Sequence, residues 1–166
     1  FPGMAYLAPQ AEGFIWYPNR LIAPVESNEP YLSAAIAKID GLVKHIEANG
    51  IPVEKIFIGG FSQGASLSSE FVIRNPRLYG GLLIFSGGHI WQSGNPREAS
   101  GNLKGMPVFN GCSNVDPHIP LERVKETTAL LTSMGAEVTE SIFPNMDHTI
   151  IEEEIEIARA LVEKRL

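Results

Sequence analysis

Stretches of apolar residues alternate with amphipathic stretches along this chain of 166 residues. The run at residues 81–86, GLLIFS, has no polar alternation, which is typical of a strand covered on both faces. Similar short runs predict strands at residues 4–8, 56–58, 81–86, 106–110 and 138–143. Spacing near 3.6 residues and end signals predict helices from Ser27 or Asn28 to Gly50, and over residues 63–74, 121–134 and 151–166.

The order of these elements predicts the fold class. Strands that alternate with helices of this length favour an α/β fold with a mostly parallel sheet and helices on both faces. Residues 10–28 and 87–105 are predicted to be irregular loops, and the second could cap a site. Residues 1–166 show no linker or repeat, so we predict one domain.

Composition narrows the classes of partner. Hydrophobic residues make up 44% of the chain and charged residues 19%, as in a folded globular protein, and the net charge is −6. A negative chain argues against nucleic acid and against basic patches for anionic membranes. No apolar run approaches a membrane span, and the start carries no basic signal-peptide segment, so we expect a cytoplasmic protein. The single cysteine, Cys112, excludes an intrachain disulfide and a cysteine-based zinc site.

The sequence G-F-S-Q-G at residues 60–64 lies between a predicted strand and a predicted helix. A G-x-S-x-G pentad in this setting is the nucleophile elbow of α/β-hydrolases. The turn is so sharp that glycine is expected on both sides, at Gly60 and Gly64. It would lift the Ser62 hydroxyl above the sheet and aim the backbone N–H of Gln63 at a developing oxyanion.

A serine nucleophile needs a base, and the base needs an acid that orients it. Asp116 follows the strand predicted at residues 106–110, and His148 follows the strand predicted at residues 138–143. This is the chain order Ser, Asp, His of the α/β-hydrolases, and all three side chains would meet at the carboxyl ends of the strands. Each residue alone also fits a structural role, as a turn aspartate, a structural histidine or a small turn residue. Jointly they predict a catalytic triad.

Other polar residues fit this role less well. His118 is two residues from Asp116 and is predicted to support the site or lie at the surface, while His45 should be solvated on the first helix. His89 could line the site mouth, although a surface position is favoured. Asp147 adjoins His148, and adjacent side chains diverge. Cys112 is expected to be a small buried residue rather than a reactive thiol.

With these residues, the chain resembles the phospholipase/carboxylesterase family of α/β-hydrolases, in its bacterial carboxylesterase branch, which is related to acyl-protein thioesterases. The motifs that carry the resemblance are A-P-Q-A at residues 8–11, W-Y-P at 16–18, G-F-S-Q-G at 60–64, F-S-G-G at 85–88, D-P-H-I-P at 116–120 and M-D-H-T at 146–149. The resemblance implies Ser62 as nucleophile, His148 as base and then acid, and Asp116 as its orienting acid. It implies hydrolysis of esters or thioesters through an acyl-enzyme, without a metal or an organic cofactor.

The family also has a strand and a His-Gly-x-Gly loop that would come before Phe1, and the loop supplies the second oxyanion N–H. In the family sheet that strand lies between the strands expected here at residues 4–8 and 56–58. The resemblance therefore implies that the domain is incomplete at its N-terminus. Direct pairing of residues 4–8 with residues 56–58 would contradict this expectation.

The function expected from the sequence is a serine carboxylesterase acting on short- to medium-chain esters. A thioesterase or lysophospholipase of the same fold is the nearest alternative, and a catalytically silent binding domain is an alternative of another class. Trp16, Tyr17 and Trp91 are candidates for the wall of the substrate pocket, although packing of their loops explains them equally well. The oligomeric state is not predicted.

Overall fold

The computed structural model describes residues 3–165, which form a four-stranded, fully parallel sheet in the order β1-β2-β3-β4. The strands are β1 (Phe57–Phe61), β2 (Gly81–Phe85), β3 (Pro107–Ser113) and β4 (Glu137–Phe143). Spatial order therefore follows chain order, and all four carboxyl ends lie at one edge of the sheet. The prediction of an α/β fold with a mostly parallel sheet is confirmed.

Four α-helices connect and cover the strands. They are α1 (Tyr31–Ala48), α2 (Gln63–Arg74), α3 (Leu121–Ser133) and α4 (Glu152–Glu163). Short 3₁₀ turns occur at Glu12–Phe14, Val25–Asn28 and Val53–Lys55. Residues 87–105 contain no helix or strand, as predicted.

Apolar packing on two faces of the sheet explains why the central strands lack polar alternation. One cluster joins residues of α1, α2 and α3 to Leu82, Ile84 and Val108. A second cluster packs Ala158 and Val162 of α4 against Leu83 and other residues on the opposite face. Every residue of β2 is buried, because alternate side chains of this strand enter the two clusters. Helices thus lie on both faces, as predicted.

The start of α1 differs from the prediction. Ser27 and Asn28 do not cap the helix but lie in the preceding 3₁₀ turn, and the helix begins at Tyr31 after Pro30. The Glu29 carboxylate instead accepts the backbone N–H of Ser33 at 3.0 Å. A longer acidic side chain therefore satisfies one of the N–H groups in the first turn that have no partner within the helix.

The strand predicted at residues 4–8 is wrong. This segment forms no strand and does not pair with β1, and the side chains of Tyr6 and Leu7 are largely exposed. An apolar groove of about 480 Å³ runs beside β1, with residues such as Met4 and Leu7 lining it together with Ile39 and Ile46 of α1. An apolar run is compatible with a buried strand only where a hydrogen-bonding neighbour exists, and residues 4–8 have none in the described sheet.

Candidate active site

Ser62 occupies the sharp turn that joins β1 to α2. Its backbone has φ of 54° and ψ of −117°, a region that non-glycine residues rarely adopt. The turn is held because the Ser62 N–H donates to the carbonyl of Phe85 at 3.0 Å and the Ser62 carbonyl accepts the N–H of Ser66. Strained backbone of this kind is concentrated at functional sites.

The two glycines of the pentad have different surroundings. A Cβ atom at Gly60 would lie 2.5 Å from the carbonyl carbon of Gly64, so the turn excludes a side chain there. A Cβ atom at Gly64 would meet nothing within 4 Å in the described structure. The prediction that packing requires glycine is therefore confirmed at Gly60 and wrong at Gly64, whose Cβ direction points into open space.

The loops after β3 and β4 bring Asp116 and His148 to Ser62. His148 Nδ1 lies 2.7 Å from Asp116 Oδ2, and His148 Nε2 lies 2.9 Å from Ser62 Oγ. A carboxylate can only accept, so Nδ1 carries the proton and Nε2 is free to accept the Ser62 hydroxyl. The structure thus brings together the three residues that the sequence predicts, in an unbroken chain of hydrogen bonds.

Asp116 is held in place by two further hydrogen bonds. Its Oδ1 atom accepts the backbone N–H groups of His118 and Ile119 at 2.8 and 2.9 Å. Burial alone would raise the pKa of the Asp116 carboxyl, but the bonds from His148, His118 and Ile119 outweigh it and lower the pKa below its ordinary value. The Asp116 carboxylate is therefore ionised and held in one orientation, in which it accepts the Nδ1–H group of His148.

Gln63 is the first residue of α2, directly after Ser62. N–H groups in the first turn of a helix have no acceptor within the helix, and the helix dipole makes this end partially positive. The backbone N–H of Gln63 is therefore suited to stabilise negative charge beside Ser62, as its position in the pentad predicts.

Two rings flank the imidazole of His148. The Phe61 ring lies 4.8 Å away between centroids, and the His118 ring lies 4.7 Å away in an edge-on arrangement. His118 is exposed, and its carbonyl accepts a hydrogen bond from Arg20 at 3.0 Å. Its predicted place at the surface or beside the site is confirmed, and it lies next to the catalytic candidate His148.

The competing polar residues lie mostly where the sequence predicts. His45 is exposed on α1, and Asp147 is exposed. Cys112 is fully buried in β3, with Sγ 3.8 Å from Asp116 Oδ2. Burial and the charge of Asp116 raise the pKa of the Cys112 thiol to about 12, which makes it a packing residue rather than a nucleophile.

The predicted surface position of His89 is wrong. His89 is 3% exposed, and its Nδ1 atom and its backbone N–H both lie 3.0 Å from the Thr127 hydroxyl. That hydroxyl donates to the carbonyl of Arg123, so it accepts both groups of His89. Burial, with Arg123 and Arg97 nearby, lowers the pKa of His89 to about 3. The partner comes from α3, 38 residues away, which sequence spacing does not reveal.

Because His89 is neutral when folded but ionises near pH 6.5 when unfolded, the unfolded state binds more protons as the pH falls. This histidine therefore stabilises the folded protein above pH 6.5, and that stabilisation is lost progressively as the pH falls from 6.5 towards 3. The free energy of unfolding of the wild type should fall as the pH is lowered from 7.5 to 5.5. In His89→Asn, whose side chain cannot titrate, we expect this fall to be about 1.4 kcal/mol smaller. Denaturant unfolding at both pH values, with His45→Asn as the exposed control, measures the difference. Parallel losses in His89→Asn and wild type would contradict the assignment.

The candidate pocket residues take different positions. Tyr17 is buried in the core, where burial raises the pKa of its phenol, and Trp16 is half-buried against the same core. Both are joined to Gln63: the Trp16 N–H donates to Oε1 and the Tyr17 carbonyl accepts from Nε2. The Arg97 guanidinium carbon lies 5.1 Å from the centroid of the Trp91 ring, and the backbone N–H of Trp91 donates to the carbonyl of Leu21.

A buried ion pair anchors the irregular segment 87–105, and the sequence analysis missed it. Glu70 on α2 is 1% exposed, and its carboxylate accepts two hydrogen bonds from Arg97 at 2.6 and 3.0 Å and one from the N–H of Ile90. An acidic residue inside a helix is ordinarily solvated, so neither residue type nor spacing signals this pair. The segment is therefore fastened to the helix that begins at the elbow.

No group of three or more His, Cys, Asp or Glu side chains within residues 3–165 is arranged to hold a metal ion. In the same range, none of the helices combines the length and the apolar character that crossing a membrane requires.

A serine on the turn after the first strand of a parallel sheet, with an aspartate and a histidine supplied by later strand-end loops, defines the α/β-hydrolase class. The family model described as phospholipase/carboxylesterase matches residues 5–166. The chain belongs to this family of hydrolases.

Individual relatives agree with this assignment. The chain is similar to the phospholipase/carboxylesterase of Dyadobacter fermentans, at 42% identity and a TM-score of 0.89, over 93% of this chain and 74% of that one. It is 28% identical to acyl-protein thioesterase 1 of Debaryomyces hansenii, over 84% of this chain and 70% of the thioesterase. It is 30% identical to acyl-protein thioesterase 1 of Gibberella zeae, over 71% of this chain but only about half (51%) of that protein.

Proposed function

We propose that this protein is a serine carboxylesterase that hydrolyses short- to medium-chain carboxylic esters through an acyl-enzyme. The observation that carries the proposal is the position of His148, which bridges Ser62 Oγ and Asp116 Oδ2 at 2.9 and 2.7 Å. Membership of the phospholipase/carboxylesterase family supports ester or thioester hydrolysis as the type of reaction.

In the first half of the reaction, Ser62 Oγ attacks the ester carbonyl while its proton passes to His148 Nε2. The imidazolium that forms is stabilised by the ionised Asp116, which hydrogen bonds from His118 and Ile119 hold in place. The carbonyl oxygen becomes an oxyanion facing the backbone N–H of Gln63. His148 then gives its proton to the departing alcohol, which leaves the acyl group on Ser62.

In the second half, water takes the place of the alcohol. His148 Nε2 removes a proton from the water, which attacks the acyl carbonyl, and the same proton then returns to Ser62 Oγ as the carboxylic acid leaves. The Nδ1 atom of His148 keeps its bond to Asp116 throughout, so one imidazole serves as base and acid in both halves.

We propose that a further strand, from a part of the protein outside the described residues, pairs with the free edge of β1 and brings the second oxyanion donor. β1 pairs only with β2 within the described sheet, and an apolar groove of about 480 Å³ lies beside it. Parallel sheets are normally buried on both sides, so an edge with an open apolar groove suits another strand. Residues 1–166 would then belong to a single α/β-hydrolase domain together with this strand.

Two other functions share these observations. Thioester hydrolysis by an acyl-protein thioesterase or hydrolysis by a lysophospholipase would use the same three residues, and similarity to two fungal thioesterases favours the first. A silent binding domain would keep the fold without turnover. For location, we propose the cytoplasm, where a chain with a single cysteine suits the reducing environment.

A p-nitrophenyl ester series from acetate to palmitate tests the esterase proposal, measured on residues 1–166 and on the complete gene product. We expect hydrolysis with a preference for short to medium chains, and a rate about 10²–10³-fold higher in the complete protein, because a lost oxyanion donor costs that much. Rates that peak at palmitate would favour the lysophospholipase. Thioester turnover without ester turnover would favour the thioesterase, and no turnover in either form would favour a binding domain.

A further inference from the structure

The side chain of Gln63 contacts a distant segment of the chain through both ends of its amide. Its Oε1 atom accepts the backbone N–H of Trp16 at 2.8 Å, and its Nε2 atom donates to the carbonyl of Tyr17 at 2.9 Å. These partners are 47 and 46 residues away. One side-chain amide therefore holds the backbone of two consecutive residues, 16 and 17, through two hydrogen bonds.

The same short segment is fixed from its other side. Tyr17 is 3% exposed, and its side chain packs into the apolar core that α1 and α2 cover. Trp16 is half-buried, with the Lys38 ammonium 5.8 Å from its ring centroid. Residues 14 and 15, directly before it, are mostly exposed and belong to no strand. The Gln63 amide thus fixes the backbone at the boundary between an exposed loop and the core.

We infer that Gln63 is a positioning residue whose side-chain amide fixes the Trp16–Tyr17 segment to the nucleophile elbow and thereby sets the selectivity for the acyl group. Its backbone N–H directly follows Ser62 at the start of α2, whereas its side chain bonds to the loop that carries the indole of Trp16. One residue therefore joins this loop to the elbow. The inference rests on the proposed esterase function only for its effect on substrates, because the contact itself exists without substrate.

The test compares Gln63→Met with wild type and with Gln10→Met. Methionine matches the length of glutamine and favours the helical conformation, so α2 is retained. Both hydrogen bonds of the side-chain amide are lost. Gln10 is exposed, and its side chain bonds only to the carbonyl of the next residue, which makes it a matched control. The first readout is hydrogen exchange at the Trp16 amide without substrate, which we expect to be about 10-fold faster in Gln63→Met and unchanged in Gln10→Met.

The second readout is selectivity, expressed as the ratio of kcat/KM for p-nitrophenyl butyrate to that for the acetate. We expect this ratio to fall at least about 5-fold in Gln63→Met, mainly through a higher KM for butyrate, since a loosened Trp16–Tyr17 segment would bind the longer acyl group less well. Labelling of Ser62 by a small fluorophosphonate should change less than about 3-fold, because the backbone N–H of residue 63 remains.

Each result has a defined meaning. Unchanged exchange at the Trp16 amide would overturn the contact, and faster exchange with an unchanged ratio would overturn the positioning role. If the wild type hydrolysed neither ester, the proposed esterase function would fail, while the exchange measurement would still decide the contact. Should Gln63→Met fail to fold, Gln63→Glu takes its place. Glutamate sets a carboxylate oxygen against the Tyr17 carbonyl, which removes one of the two hydrogen bonds and repels the segment. Both the faster exchange at the Trp16 amide and the lower selectivity ratio are then expected, and their absence would overturn the positioning role.

Discussion

Replacing Ser62 with alanine is expected to lower kcat for ester hydrolysis about 10⁶-fold, as loss of the nucleophile does in subtilisin. The hydroxyl removed is the group that attacks the carbonyl and the group that donates to His148 Nε2. The fold should persist, because Ser62 lies in a turn and its backbone bonds to Phe85 and Ser66 do not involve the side chain. Steady-state kinetics with p-nitrophenyl butyrate measures the loss, and circular dichroism checks the fold.

Ser86→Ala is the matched control for this variant. Ser86 also has a positive φ, 49°, and also follows a parallel strand at the carboxyl edge of the sheet. Its side chain is fully buried, however, and it is not part of the hydrogen-bonded chain through His148. We expect Ser86→Ala to keep most of the wild-type rate. A Ser62→Ala enzyme that still turned over at the rate of Ser86→Ala would contradict the assignment of the nucleophile.

Replacing Asp116 with asparagine is expected to lower kcat about 10⁴-fold with little change in the fold. The Oδ1 atom of asparagine can still accept the N–H groups of His118 and Ile119, which hold the loop. Its amide nitrogen would then face His148 Nδ1 as a donor, so the stable tautomer would carry its proton on Nε2. A protonated Nε2 cannot accept the proton of Ser62, and attack on the ester slows.

Asp147→Asn separates the orienting acid from its neighbour in sequence. Asp147 adjoins His148 but is exposed, and the carboxylate within 2.7 Å of the imidazole belongs to Asp116. The Asp147→Asn enzyme should therefore stay within about 2-fold of the wild-type kcat. The reverse pattern, a severe loss in Asp147→Asn and near-normal kcat in Asp116→Asn, would transfer the orienting role to Asp147.

Local patterns were sufficient to predict the elements that position the site. Helix α2 begins and ends where the sequence predicts, because the elbow fixes its start and Asn75-Pro76 prevents its continuation. The apolar run that forms β2 also needed no tertiary information, since a strand buried on both faces has no polar positions. The order of serine, aspartate and histidine after successive strands then predicts a meeting point, because parallel strands end at one edge.

The errors concern properties that depend on distant partners. Residues 4–8 have the composition of a buried strand, but a strand needs a neighbour with which to pair, and composition does not say whether one is present. His89 is buried because Thr127 on α3 accepts two of its N–H groups. The contact between Gln63 and Trp16 spans 47 residues, and nothing in the local pattern around either residue indicates it.

The most direct test of the proposed mechanism is to treat the protein with a fluorophosphonate and locate the adduct by mass spectrometry of peptides. We expect one adduct, on Ser62, which is absent from Ser62→Ala and forms far more slowly in Asp116→Asn. An adduct on a different serine, or ester hydrolysis by a protein that the reagent does not modify, would contradict the claim that Ser62 is the nucleophile.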